Sequence, residues 1–93
     1  MSRYIVRVEL HYANEVHYQK LHELMAKNGL LQYIDNQNGG RNWLPPAEYT
    51  ILTDATAYDV RAVAKACAAA TGLRFAVLVT EAVNVVWDGL QAA

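Results

Sequence analysis

Apolar and polar residues alternate near the start of the chain: Tyr4, Val6, Val8 and Leu10 interleave with Ile5, Arg7, Glu9 and His11. A period of two is that of a strand with one buried and one more polar face. The period then changes. Tyr18, Leu21, Leu24 and Met25 recur at helical spacing behind Asn14, whose side chain suits an N-cap. Asn28-Gly29 supplies the stop, with the glycine fitted to the left-handed C′ position. Leu30 to Asp35 reads as a second strand, and Asn36 to Gly40 as a turn in which Asn38-Gly39 is the strongest hairpin signal.

Arg41 to Leu44 begins the return. Pro45-Pro46 cannot donate to a ladder, which predicts an edge or a bulge there. Ala47 to Thr53 continues as a strand with Tyr49 and Ile51 on one face. Thr56 and Asp59 stand at the spacing of a capping box ahead of a helix with Val60, Val63, Ala64 and Cys67 as its apolar stripe. Gly72 ends it, and Phe75, Val77 and Val79 alternate as the last strand. The pattern weakens after Glu81, leaving Trp87 and Leu90 as large apolar groups that either fold back or meet a second chain.

Strand, helix, strand, strand, helix, strand is the order of a ferredoxin-like α+β sandwich: a four-stranded antiparallel sheet with both helices on one face. One domain over 1–93, with its core at about 3–82 and a tail at 83–93, accommodates all of it. The uncovered sheet face is expected to carry Arg7, Glu9, Thr50, Leu52, Ala76 and Leu78. That mixture is too apolar for comfort in water, so a homodimer is expected.

Composition narrows the possibilities. Apolar residues make up 54% of the chain, which argues against disorder, and the net charge of −1 gives no global basic field. Any nucleic acid must therefore be held by a local patch. The one cysteine, Cys67, excludes an internal disulfide and reads as a small buried hydrophobe. No stretch resembles a signal peptide or membrane helix, so a cytoplasmic protein without membrane contact is expected.

Phosphate-loop, zinc-ligand and nucleophile motifs are absent, and neither a metal nor a cofactor is expected. The histidines are His11, His17 and His22, and imidazole titrates near neutrality. Cleaving RNA without metal needs a base for the 2′-hydroxyl, an acid for the leaving oxygen and a cation for the phosphorane. His11, His22 and Arg7 are the candidates for those roles. His17 and His22 lie about 140° apart around a helix and share no face as metal ligands would. Glu9, Asp35 and Asp54 lie at or near strand ends without an obvious cluster. Arg41, Trp43 and Tyr33 around the hairpin, with Arg3, Arg7 and Arg74 on the first and last strands, could stack on unpaired bases and hold phosphates.

The landmarks Tyr4-Ile5-Val6-Arg7-Val8, Leu21-His22-Glu23-Leu24-Met25, Leu44-Pro45, Glu48-Tyr49-Thr50-Ile51 and Phe75-Ala76-Val77-Leu78-Val79 resemble the GhoS-type antitoxins of type V toxin–antitoxin systems. The resemblance is one of pattern and spacing over roughly residues 3 to 82. It implies a ferredoxin-like fold, akin to the small CRISPR-associated nuclease that partners the integrase. It also implies an endoribonuclease acting on the transcript of a membrane-disrupting toxin. His22 stands where those antitoxins carry an arginine, and His11 where the CRISPR-associated relatives keep an aspartate. Two other classes fit the composition. One is a protein-binding module, such as a phage- or plasmid-borne inhibitor of a nuclease or defence complex, with Trp43, Tyr33 or Trp87 as anchors. The other is a dimer that holds a small ligand between its sheets.

Overall fold

The structure, a computed structural model, describes residues 1–93. Its elements are β1 (Ser2–Leu10), α1 (Glu15–Lys27), β2 (Tyr33–Asp35), β3 (Arg41–Trp43), β4 (Glu48–Thr53), α2 (Ala57–Ala69) and β5 (Phe75–Ala82). Both helices begin with reciprocal caps. Asn14 accepts from the amide of His17 while the His17 ring accepts from the amide of Asn14, and Thr56 and Asp59 do the same for α2. Each box satisfies two amides that a helix start otherwise leaves unpaired. Gly29, at φ +81°, turns the chain out of α1 in a conformation that L side chains disfavour.

β1 lies at the centre of a three-stranded antiparallel sheet, order β4–β1–β5. The register pairs Val6 with Tyr49 on one side and with Val79 on the other. The alternating residues Tyr4, Val6, Val8 and Leu10 therefore face the helices. They form a core with Leu21 and Met25 of α1 and Val60, Ala64, Cys67 and Ala68 of α2. Burying a leucine or methionine side chain of this kind contributes roughly 1.5–3 kcal/mol. No helix is long and apolar enough to cross a membrane.

The single four-stranded sheet expected from the pattern does not form. The chain after α1 touches β4 through one bridge, Leu31 to Thr50. It then leaves, and β2 pairs only with β3 in a separate two-stranded hairpin. The cause lies at Pro45-Pro46-Ala47. The carbonyl of Pro45 accepts from the amide of Glu48 (3.1 Å), closing a tight turn, and Ala47 sits at φ +63°. That turn cuts the expected long third strand into β3 and β4 and lets the hairpin swing away. The tail does fold back: the amide of Trp43 donates to the carbonyl of Gln91 (2.9 Å), and the amide of Ala93 donates to that of Arg41 (2.9 Å). The tail thus covers the outer edge of β3.

A positive φ at the third residue of such a turn is the type II geometry, where glycine is favoured. Alanine there carries a steric penalty of about 1–2 kcal/mol, partly offset by glycine's greater entropy in the unfolded chain. Ala47→Gly is therefore expected to stabilise the protein by about 0.5–1 kcal/mol, a rise of about 2–6 °C in thermal midpoint. Calorimetry showing a lower midpoint would mean the turn is not strained.

On the sheet face away from the helices, Leu52 and Leu78 are exposed, at 50% and 63%. Thr50, expected to be open there, is only 2% exposed. Its hydroxyl donates to the carbonyl of Tyr4 (2.9 Å) and accepts from the Arg3 guanidinium (3.1 Å). Hairpin and tail gather at this end: Ile34, Val83, Val85 and Trp87 border one depression with Arg3. The end of β1 carrying Arg7 and Glu9 stays open.

Candidate functional site

The largest depression, a cleft of about 730 Å³, opens at that free end of β1. Three elements build it. β1 contributes Arg7 and Glu9, α1 contributes Glu15, Tyr18 and His22, and the hairpin side contributes Gln32 and Trp43. Each position has a local reason. Arg7 occupies the outward phase of an alternating strand, between Glu48 of β4 and Leu78 of β5. Tyr18 and His22 are four apart and so share one helix face. Trp43 is half-exposed, at 46%, where β3 ends before the prolines.

His22 is held from below. Its Nδ1 lies 2.7 Å from the hydroxyl of Tyr49, which is fully buried at 0% exposure. Tilted rings of Tyr18 and Tyr49 flank it at 6.2 and 5.7 Å. Burial lowers the pKa of His22 below its ordinary 6.5, so the ring is neutral at neutral pH. Burial also pushes the Tyr49 phenol well above its usual range, with Tyr18 and Cys67 adding to the effect. The phenol therefore keeps its proton, and His22 is its hydrogen-bonding partner. When the imidazole proton sits on Nε2, Tyr49 donates to Nδ1. A hydroxyl can also accept, so rotation of the phenol O–H lets the ring exchange tautomers while staying in position.

Of the residues singled out in the sequence, Arg7, His22 and Trp43 meet in this cleft. Tyr33 packs edge-on against Trp43 at 6.1 Å, and Arg41 lies over the Tyr33 ring at 4.7 Å while approaching Asp35 at 3.9 Å. His11 and Arg74 are not in the cleft wall. They adjoin each other where β1 and β5 meet, the amide of His11 donating to the carbonyl of Arg74 (2.8 Å). The His11 ring instead approaches Glu9, with Nε2 to Oε1 at 3.5 Å. No group of three or more histidine, cysteine or acidic side chains is arranged to hold a metal.

The sequence reading missed Tyr18, Tyr49, Glu15 and Gln32. Tyr18 carried a usable signal, its four-residue spacing from His22. Tyr49 carried none, because it reads as a plain core position and meets His22 only through packing of β4 under α1.

Arg7 makes no ion pair with a side chain, so its guanidinium is available to an anion. The cleft thus offers one free cation, one neutral imidazole with a fixed ring, an aromatic face and two carboxylates. Comparison with known proteins found no matching family model and no matching curated protein.

Proposed function

We propose that the protein is a small endoribonuclease acting on single-stranded RNA by acid–base chemistry. The observation that supports this reading is the convergence of Arg7, His22 and Trp43 on one cleft. Its size suits a nucleotide-scale ligand. Trp43 stacks on an unpaired base and Arg7 holds the adjoining phosphodiester. With Nδ1–H donating to Tyr49, the Nε2 of His22 takes the proton of the 2′-hydroxyl as that oxygen attacks phosphorus. Arg7 balances the charge that builds on the phosphorane oxygens. With His11 outside the cleft, the departing 5′-oxygen takes its proton from water, and the hydroxide left behind takes the proton held by His22, which restores the base. A toxin transcript is the target that the resemblance to GhoS-type antitoxins implies.

The test is cleavage of end-labelled transcripts by purified protein, with magnesium present and with it chelated. Discrete products ending in a 2′,3′-cyclic phosphate, formed equally well under both conditions, are expected. Transcripts left intact under both conditions would refute the reading.

A further inference from the structure

Resting on that RNA reading, we propose that the cleft selects guanine, with Glu15 as the residue that reads it. The carboxylates are the features that nuclease chemistry leaves unused. Glu9 and Glu15 outnumber the single arginine in the cleft wall, so the cleft is poorly suited to a run of phosphates. It suits one phosphate at Arg7 and a base beside the acidic wall.

Base chemistry then separates the four nucleotides. A carboxylate only accepts hydrogen bonds, through two parallel oxygens. Guanine alone presents two adjacent donors, N1–H and N2–H, on its Watson–Crick edge. Adenine and cytosine set a ring-nitrogen acceptor beside their amino group, and uracil flanks N3–H with two carbonyls, so each turns a lone pair toward a carboxylate. Guanine is also a purine with a large face for Trp43.

Glu15 is the better of the two candidates. The Glu9 carboxylate is near the His11 ring, whereas Glu15 has no ion-pair partner. Glu15 also lies in the first turn of α1, where the helix dipole favours a negative charge. It borders the same cleft as Trp43, so stacking and edge recognition can act on one base.

Fluorescence anisotropy with labelled 2′-O-methyl oligouridine hexamers tests this, since the blocked 2′-oxygen prevents cleavage. One central position is varied among guanine, inosine and adenine at fixed salt. Inosine differs from guanine only by loss of the N2 amino group. The guanine hexamer is expected to bind about tenfold or more tighter than the other two. Glu15→Gln, an exposed and nearly isosteric change, is expected to abolish the preference while RNA is still bound. Equal binding of guanine and inosine by the native protein would overturn the proposal and leave the RNA reading standing. A preference that survives Glu15→Gln would overturn the role of Glu15. Failure of every hexamer to bind would overturn the RNA reading itself.

Discussion

Replacing His22 by alanine is expected to slow RNA cleavage by about 10²- to 10⁴-fold, the usual range for loss of a general base, with RNA binding nearly unchanged. In the proposed binding mode Arg7 and Trp43, not His22, supply the contacts to phosphate and base, so binding survives. On the proposed mechanism the native protein also shows a distinctive pH profile. The base form of His22 must be populated for proton abstraction. Because burial lowers its pKa below 6.5, activity rises with pH in a window below that value and is flat through neutrality. Folding stability follows the same titration. The folded state disfavours the proton, so the unfolded chain takes it up first as pH falls. The contribution of neutral His22 is complete above 6.5 and is lost as pH drops from there through the lowered value. His22→Ala removes that dependence along with activity. Cleavage equal in the two proteins would move the chemistry elsewhere in the fold or to a contaminant.

Tyr49 carries the second large effect, because it belongs to the core and to the site at once. Tyr49→Ala is expected to cost about 3–5 kcal/mol, the range for truncating a buried aromatic ring. Against a total of about 5–15 kcal/mol for a domain, that lowers the thermal midpoint by about 12 °C or more. Tyr49→Phe keeps the ring and loses only the hydrogen bond to His22, about 1 kcal/mol. Its signature lies in the pH profile. Without the phenol oxygen to accept from Nδ1–H, the tautomer that frees Nε2 loses its partner, so the rate falls at every pH while the activity midpoint stays below 6.5, because the burial that lowers it is unchanged. Denaturation curves and pH–rate profiles of the two variants separate packing from positioning. A phenylalanine variant as unstable as the alanine one would mean that the hydrogen bond, not the ring, dominates at this position.

Local signals were legible where neighbours in sequence do the work. The alternation of β1, the Asn14 and Thr56 caps and the Asn28-Gly29 stop all appear as the residues announce. The alanine-rich helix also buries Cys67 as expected. The departures arise where distant segments decide. Leu30 to Asp35 has the composition of a sheet strand, yet only Leu31 bridges to β4, because the Pro45-Pro46 turn removes the partner that the rest would need. The tail carries no alternation of its own and is ordered by the vacant edge of β3. Arg7 and His22 were both suspected, but on opposite sheet faces. Their meeting at one cleft follows from the open end of the sheet, which no periodicity encodes. His11 was grouped with them by chemistry alone, and its strand carries it toward β5 and Arg74 instead.

The strand at the centre of the sheet is also the first one synthesised. β1 pairs with residues 48–53 on one side and 75–82 on the other, so both its partners arrive late. On the ribosome, β1 emerges early, but one edge of it cannot be paired until residues 75–82 have left the exit tunnel. Contacts that span nearly the whole chain also slow folding relative to helical proteins of this size. A nascent or truncated chain lacking the last strand therefore displays a bare apolar ribbon with one side unpaired, the form in which strands seek other chains.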